Sequence, residues 1–149
     1  MTYRIETAPD EARSDQVVSG LVAFNQRESE LIRRRFEEPH LRPVPLVAYA
    51  LTAGGELLGG GAARAVPLWQ WVEIDELWVQ DAARGQGIGA ALLASLEAQA
   101  RALGCRWSKL NTWDFQAPGF YKRQGYVTYA TEEDYPPGHV NHLMRKTLG

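Results

Sequence analysis

The chain has 149 residues, of which 45% are hydrophobic and 23% charged, a composition that fits one globular domain over residues 1–149 and leaves little room for a second. A formal net charge of −2 at pH 7 gives no general attraction to nucleic acid, and the single cysteine, Cys105, excludes an intrachain disulfide. No apolar run approaches the roughly 20 residues of a membrane span, and the N-terminus lacks the apolar core of a signal peptide. We therefore expect a cytoplasmic protein with no membrane or nucleic-acid partner and, without a cluster of Cys and His, no metal site.

The first third of the chain predicts a short strand followed by helix. Residues 3–7 are β-prone and end before a Pro-Asp pair. Apolar residues then recur at helical spacing from about residue 12 to residue 36, which predicts one bent helix or two consecutive helices. Three prolines between residues 39 and 45 predict a loop.

The middle of the chain predicts three consecutive strands at residues 46–51, 57–66 and 69–79. Three glycines at positions 59–61 are unusual inside a strand and indicate a bulge or a close approach of backbone. The third strand carries Glu73, Asp75 and Glu76 among apolar residues. Because an ionised group is costly to bury, such carboxylates are expected to be paired or functional.

An amphipathic helix follows, marked by apolar residues at steps of three and four from Ile88 to Leu103 and ended by Gly104. A strand at 107–112, a short helix at 117–124 and strands at 126–130 and 140–148 complete the predicted elements. Hairpin-like strands followed by a strand–helix–strand unit predict a mixed sheet of seven strands.

The turn that opens the amphipathic helix is the most informative segment, Arg84-Gly85-Gln86-Gly87-Ile88-Gly89. The first amides of a helix have no intrahelical partner, and the helix dipole is positive at that end. Glycines allow a phosphate to approach these amides, and Arg84 adds a permanent charge suited to phosphate. The segment therefore has the features of a pyrophosphate site, and a tight turn that binds no ligand is its other interpretation.

Two common phosphate-binding motifs do not fit this turn. A P-loop ends in Gly-Lys-Ser/Thr, whereas this segment has Gly-Ile-Gly. A dinucleotide-binding fold places its glycine-rich turn in an early strand–helix–strand unit, whereas here it follows three strands at mid-chain. A phosphate-ligand enzyme of either type is disfavoured.

Two motifs resemble those of the GNAT superfamily of N-acetyltransferases. Arg84-x-x-Gly87-x-Gly89 is similar to the family's Arg/Gln-x-x-Gly-x-Gly/Ala signature, and the segment from Ala117 to Tyr126 is similar to its second motif, with Phe120 and Tyr121 at the aromatic pair. The order of elements agrees over essentially the whole chain. One departure is Asp114, which stands where many members have Asn. Asn111, slightly earlier on the predicted strand, is the candidate substitute.

The resemblance implies an α/β (α+β) fold with a mixed, mostly antiparallel sheet of about seven strands and about four helices, splayed between the family's fourth and fifth strands. Acetyl-CoA, as cosubstrate, would lie in that cleft. The implied cofactor-binding groups are the backbone of Leu77 and Val79, the amides from Arg84 to Ala90, and three residues further along the chain. The full set is Leu77, Val79, Arg84, Gly85, Gln86, Gly87, Ile88, Gly89, Ala90, Asn111, Ala117 and Phe120.

The implied chemistry is acetyl transfer to a primary amine by direct attack in a ternary complex. In the family's position, Tyr121 would give a proton to the departing thiolate; aromatic packing is its other interpretation. Asp75 is the first candidate for the general base and Glu76 the second, with water alone as a third option. Strand alternation places Glu76 on the face opposite Asp75 unless a bulge intervenes. His139, in an acidic loop, is a further titratable candidate.

The acceptor is left open by the sequence: a polyamine, an amino acid, an aminoglycoside-like drug and a protein N-terminus all fit. Tryptophans near the implied cleft, among them Trp78 and Trp113, together with the carboxylates would suit a cationic amine. A rival hypothesis is an acyl-CoA-binding module without transfer activity, acting as a sensor or an interaction partner; Tyr121 and the strand carboxylates favour the enzyme. Homodimers are common in the family, and the sequence neither requires nor excludes one.

Overall fold

The computed structural model describes residues 1–149, which form two compact units, Met1–Leu41 and Arg42–Gly149. The first unit contains helices α1 (Glu11–Glu28) and α2 (Glu30–Arg35), so the predicted helical stretch is two consecutive helices. Ser29 separates them: its extended backbone ends α1, and its hydroxyl accepts a hydrogen bond from the N–H of Ile32 to cap α2. No helix in the chain is long and apolar enough to cross a membrane.

The strand predicted at residues 3–7 is wrong, since this segment has no regular secondary structure. Tyr3 and Ile5, which gave the segment its β-prone character, are 82% and 79% exposed. β-propensity reflects how well a side chain fits a half-buried sheet surface, and this segment has no neighbouring strand to supply one. The sheet therefore has six strands instead of seven.

The second unit is a mixed sheet with two α-helices. Its elements, in chain order, are β1 (Val44–Leu51), β2 (Leu57–Val66), β3 (Trp71–Val79), α3 (Ile88–Ala102), β4 (Trp107–Trp113), α4 (Pro118–Arg123), β5 (Val127–Glu133) and β6 (Val140–Thr147). The strands lie in the order β1-β2-β3-β4-β6-β5. Only β3 and β4 are parallel, so the predicted mixed and mostly antiparallel sheet is confirmed.

The single parallel pairing is short. β3 and β4 are paired only from Trp71–Trp107 to Glu73–Lys109, and no register continues beyond that point. β3 nevertheless runs on to Val79 and β4 to Trp113. The inner edges of both strands are therefore left without a strand partner over their C-terminal halves.

The core lies between the sheet and α3. Leu92, Leu93, Leu96 and Ala100 of α3 are buried against the sheet, where α3 packs on β1, β2 and β3. The glycines of β2 permit this close packing: a Cβ added at Gly61 would lie 3.0 Å from the side chain of Leu96 and 3.0 Å from the carbonyl oxygen of Glu76. The close backbone approach predicted for this segment is confirmed.

A β-bulge in β3 changes the side-chain pattern predicted for its carboxylates. Ala63 pairs with Ile74 and Ala62 pairs with Glu76, so Asp75 is the extra residue. Ile74 is buried and Leu77 packs against the core, which places Asp75 and Glu76 together on the sheet face opposite α3. We call this face, from here on, the far face.

A buried polar network ties α3 to the sheet. The carboxylate of Glu97, on α3, is 4% exposed and accepts hydrogen bonds from Lys146 Nζ at 2.8 and 3.0 Å and from the hydroxyl of Tyr126 at 3.1 Å. The Tyr126 hydroxyl also lies 2.7 Å from Ser108 Oγ. Burial, with Glu97 adding to it, raises the pKa of Tyr126 above its ordinary value. A buried carboxylate is costly unless paired, and here Lys146 and Tyr126 satisfy it.

Candidate active site

A cleft of about 1080 Å³ opens where β3 and β4 are no longer paired. Its walls come from the C-terminal half of β3, the first turn of α3, the end of β4 and the helix α4. Every residue predicted for the site lines it except Gln86, whose side chain is exposed. Those residues are Asp75, Glu76, Leu77, Val79, Arg84, Gly85, Gly87, Ile88, Gly89, Ala90, Asn111, Ala117, Phe120 and Tyr121.

The first turn of α3 presents a row of unpaired amides to the cleft. Gly87 is the N-cap, in the left-handed conformation with φ 81°, and no side chain caps the helix. Ala91 is the first residue whose N–H is bonded back to the turn, at Gly87 O, so the N–H groups of Ile88, Gly89 and Ala90 have no helical acceptor. No protein carbonyl accepts from the amides of Gly85–Gly87 either.

The space above these amides is empty of protein atoms. A Cβ built on Gly85 or on Gly87 would meet nothing within 4 Å. Both glycines also have positive φ, 76° and 81°, which a residue with a side chain adopts only at a cost. The turn is thus shaped by glycine into an uncovered set of donors at the positive end of a helix, which is the arrangement that binds phosphate groups.

Arg84 lies beside this turn but is engaged with the protein. Its Nη2 pairs with Asp81 at 2.8 Å, and its Nε donates to the carbonyl oxygen of Val79 at 3.2 Å. The side chain is 60% exposed, so these contacts are weak and exchangeable with an incoming anion.

The backbone of β3 offers hydrogen-bonding groups to the same cleft. Gln80, the residue after β3, donates its N–H to Leu58 O of β2 at 2.9 Å. Because N–H groups point alternately to the two edges of an antiparallel strand, those of Val79 and Leu77 point away from β2. That edge has no strand partner there, since the pairing of β3 with β4 ends at Glu73–Lys109.

α4 closes the cleft on the other side. The ring of Phe120 packs on α3 where glycine leaves room, because a Cβ at Gly89 would lie 3.4 Å from Cζ of the ring. Phe120 also packs against the core, and its ring contacts that of Tyr121 edge to face at 5.1 Å. Phe120 therefore joins α4 to the first turn of α3.

The ring of Tyr121 is packed against other residues, whereas its hydroxyl has no hydrogen-bond partner in the protein. The ring meets Tyr126 edge to face at 5.8 Å, and the two residues are also joined by a backbone hydrogen bond from Tyr126 N–H to Tyr121 O at 3.0 Å. Burial raises the pKa of Tyr121 above its ordinary value near 10. No protein group hydrogen-bonds the hydroxyl, which lines the cleft as a protonated and unengaged donor.

The two candidate bases, Asp75 and Glu76, differ in the hydrogen-bond partners of their carboxylates. Asp75 receives two hydrogen bonds from Arg64, Nε at 2.8 Å and Nη2 at 2.7 Å, and this pairing raises the pKa of Arg64. Glu76 is exposed in the cleft and has no hydrogen-bond or ion-pair partner. A carboxylate engaged by a guanidinium is a weaker proton acceptor than an unpaired one.

His139 lies in a small cluster beyond the end of β4. Its Nδ1 is 3.1 Å from Oδ1 of Asp114, and its ring meets that of Phe115 edge to face at 4.8 Å. Burial raises the pKa of Asp114, but hydrogen bonds from His139 and from the N–H groups of Val140 and Phe115 bring it below its ordinary value. Asn111 lines the cleft, whereas Asp114 and His139 do not.

Trp78, which the sequence analysis placed near the cleft, also lines it. The sequence analysis missed six further lining residues, which are Ala83, Thr112, Phe115, Gln116, Arg123 and Gln124. Arg123, at the end of α4, lies over the backbone of Gly119 with Nη1 3.5 Å from the position of a Cβ there, and it pairs with no acidic group. Two exposed cations, Arg84 and Arg123, thus border a cleft in a protein whose net charge is negative. No group of three or more Cys, His, Asp or Glu residues is placed to hold a metal ion.

A protein-family model described as the acetyltransferase (GNAT) family matches residues 8–126. The chain belongs to the GNAT acetyltransferase family. Among curated relatives, a blasticidin-S acetyltransferase of Streptomyces morookaense is 46% identical to it over 131 residues, 86% of this chain and 96% of that protein. The resemblance stated from the two motifs is confirmed, and this GNAT chain is an acetyltransferase.

Solved structures agree with the family assignment. An acetyltransferase from Bacillus cereus ATCC 14579 has a TM-score of 0.75 and 28% identity to this GNAT chain, over 97% of each. An aminoglycoside 6'-N-acetyltransferase complexed with coenzyme A has a TM-score of 0.61 at 18% identity, over 94% of this chain and 93% of that one, and shows the shared fold. GNAT acetyltransferases use acetyl-CoA.

Proposed function

We propose that this protein transfers the acetyl group of acetyl-CoA to a primary amine by direct attack within a ternary complex. One observation carries the proposal: unpaired backbone amides, an unengaged tyrosine hydroxyl and an unpaired carboxylate all line one cleft. The family match spans residues 8–126, across the boundary at residues 41 and 42 between the two compact units, which supports one N-acetyltransferase domain.

The residues present fit acetyl-CoA. The pyrophosphate would bind the uncovered amides from Gly85 to Ala90, where the glycines leave space for it. The backbone N–H groups of Leu77 and Val79 would bond the pantetheine, as an added strand would. This requires β3 and β4 to be splayed, and the end of their pairing after Glu73–Lys109 supports that geometry.

The basic residues at the border of the cleft complete the phosphate site. Arg84 would exchange Asp81 for the pyrophosphate, since a doubly charged group outcompetes one exposed carboxylate. Arg123 would lower the cost of bringing the negatively charged cofactor to a protein of net charge −2.

Acetyl-CoA supplies the acetyl group as a thioester, and the chain supplies proton transfers and orientation. The nitrogen of the neutral amine forms a C–N bond to the carbonyl carbon, and the C–S bond breaks. Glu76, directly or through water, accepts the proton that the amine must lose. An N–H of β3 near Leu77 donates to the carbonyl oxygen as negative charge develops on it.

Tyr121 acts at the leaving group. Its raised pKa keeps the hydroxyl protonated at neutral pH, so that it donates a proton or a hydrogen bond to the departing thiolate. Its ring is held by Phe120 and Tyr126 on two sides, which limits the positions open to the hydroxyl.

Asp75 takes a different part in this scheme. Its two hydrogen bonds to Arg64 leave its carboxylate engaged beside Glu76, on the same face of the sheet. Asp75 would serve as the base itself only if the acceptor displaced Arg64.

The acceptor class follows from the relatives. Because a blasticidin-S acetyltransferase is 46% identical over 96% of its length, we infer an antibiotic amine as the acceptor. The carboxylates of Asp75 and Glu76 in the cleft support this choice, since a cationic amine gains from neighbouring carboxylates.

The proposal is tested by thiol release from acetyl-CoA with a panel of amines: blasticidin S, an aminoglycoside, a polyamine and an amino acid. We expect release with the antibiotic amines and its loss in Tyr121→Phe. Tight binding of acetyl-CoA with no release for any amine would instead favour an acyl-CoA-binding module.

A further inference from the structure

A rigid aromatic surface borders the cleft on the far face, and no step of the proposed reaction uses it. Its centre is Phe115, in the loop between β4 and α4, which is 61% exposed and lines the cleft. On the opposite wall, Trp78 of β3 also lines the cleft and is 52% exposed. Exposed aromatic rings at a cleft are costly in water unless a ligand covers them.

The ring of Phe115 is held firmly in place. It stacks on Trp113 with a centroid distance of 5.9 Å and an interplanar angle of 8°, and His139 packs against it edge to face at 4.8 Å. Trp113 is fixed in turn by a hydrogen bond from its Nε1 to the carbonyl oxygen of Tyr135 at 2.8 Å. The N–H of Phe115 donates to Asp114, the same carboxylate that holds His139.

The position of this surface assigns it to the acceptor. Along β4, Ser108, Leu110 and Thr112 are buried towards α3, so alternation places Trp113 on the far face. The far face also holds Asp75 and Glu76, the groups that would meet the amine. The phosphate-binding turn lies instead at the start of α3, on the other face of the sheet.

We infer that the acceptor carries a planar, π-rich group close to its primary amine, and that Phe115 binds this group by stacking. A planar ring gains from a flat aromatic face through offset stacking, which a saturated ring of the same size cannot reproduce. Carboxylates beside the aromatic surface suit the ammonium form in which the amine arrives. The inference rests on the proposed function and narrows its substrate class.

The test compares two primary amines that differ mainly in the ring, benzylamine and cyclohexylmethylamine. The quantity measured is the ratio of their kcat/KM values. This ratio is compared between protein variants, so the different basicity of the two amines cancels. We expect Phe115→Leu to lower the ratio about fivefold, the scale of one aromatic stacking contact, and Phe115→Tyr to preserve it.

Two controls separate stacking from general damage. Tyr129→Leu removes an aromatic ring that is 50% exposed but lies outside the cleft, and it should leave the ratio unchanged. Thermal midpoints with and without coenzyme A show whether each variant folds and retains its cofactor site. A loss shared equally by both amines leaves the ratio unchanged and would mean that Phe115 has only a structural role.

The outcomes are distinct. An unchanged ratio in Phe115→Leu overturns the inference, and so does a fall of the same size in Tyr129→Leu. Weaker coenzyme A binding in Phe115→Leu with an unchanged ratio would assign the ring to the cofactor and overturn it as well. Failure of the wild-type protein to release thiol with any amine, polyamines included, would remove the proposed function itself.

Discussion

On the α3 side of the cleft the proposed binding groups are backbone amides, whereas on the far face they are side chains held by contacts from distant parts of the chain. The amides of Gly85–Ala90 are exposed because consecutive residues include glycines with positive φ. The far face depends on pairs such as Arg64 with Asp75 and Trp113 with Tyr135, which are 11 and 22 residues apart. A backbone site of this kind is sensitive to any added side chain, whereas a side-chain site changes with single substitutions that keep the backbone.

The largest expected effect comes from covering the backbone site. Gly87→Val adds a side chain above the free amides and forces a β-branched residue to positive φ. We expect affinity for acetyl-CoA to fall about 100-fold, because blocked amides and a strained turn together cost about 3 kcal/mol. Calorimetric titration with coenzyme A measures this loss.

Gly104→Val is the matched control for Gly87→Val. Gly104 also has positive φ, 88°, with nothing within 4 Å of its Cβ position, but it ends α3 far along the chain from the turn and does not line the cleft. Both variants should lose stability, and only Gly87→Val should lose the cofactor. Equal affinities in the two variants would contradict the assignment of the turn.

The next effect is on catalysis. Tyr121→Phe keeps the ring contacts with Phe120 and Tyr126 but removes the hydroxyl, so kcat should fall at least about tenfold, within the usual range for loss of a general acid, while coenzyme A binds as before. Tyr129→Phe, outside the cleft, should keep full activity. Wild-type kcat in Tyr121→Phe would exclude the tyrosine from the reaction.

The pH dependence follows from the same residue. Burial raises the pKa of Tyr121, so the protonated and active form persists to a higher pH than for an ordinary tyrosine. We expect no loss of wild-type kcat from this group between neutral pH and about pH 10, the ordinary tyrosine value. A loss of kcat near pH 8 that disappears in Tyr121→Phe would show a lowered pKa and contradict the packing described.

The far-face carboxylates give a smaller and more selective effect. Glu76→Gln should lower kcat/KM at least about tenfold near neutral pH, as expected for the loss of a general base. Asp75→Asn is its matched partner and should lower kcat/KM less than about threefold, because the Asp75 carboxylate is already paired with Arg64 and exposed pairs contribute little. The reverse order of effects would make Asp75 the base.

The smallest effect is expected at the rim of the cleft. Arg123→Gln should weaken coenzyme A binding about threefold at low salt and less at high salt, since exposed charges are screened. Lys122→Gln removes the neighbouring charge, which does not line the cleft, and should have no such effect. An equal loss of affinity in both variants would indicate that the overall charge of the protein attracts coenzyme A, and that Arg123 makes no specific contact with it.

The contrast between the two sides also explains what the sequence could predict. The turn and α3 are local: glycines, a strand and an amphipathic repeat occur within about 25 residues, so nearly all predicted cofactor residues line the cleft. The face of Glu76 was not predictable, because the bulge at Asp75 depends on pairing with β2. The roles of Phe115 and Arg123 were not predictable from local sequence either. Phe115 is positioned by stacking on Trp113, and Arg123 reaches the cleft only through the placement of α4.

The strand expected at residues 3–7 was wrong for a related reason. β-propensity identifies residues that suit a sheet, but a strand forms only where a neighbouring strand provides backbone hydrogen-bond partners. The buried carboxylate of Glu97 was likewise unmarked, because its partners Lys146 and Tyr126 are 49 and 29 residues away. Long-range pairs of this kind appear only once the fold is known.

The central claim is that the free amides from Gly85 to Ala90 hold the pyrophosphate of the cofactor. Amide chemical shifts of isotope-labelled protein, recorded with coenzyme A and with pantetheine, test it most directly because pantetheine lacks the pyrophosphate and the nucleotide attached to it. The resonances of Gly87, Gly89 and their neighbours should shift strongly with coenzyme A and little with pantetheine. Saturation of the protein by coenzyme A with those resonances unmoved would contradict it.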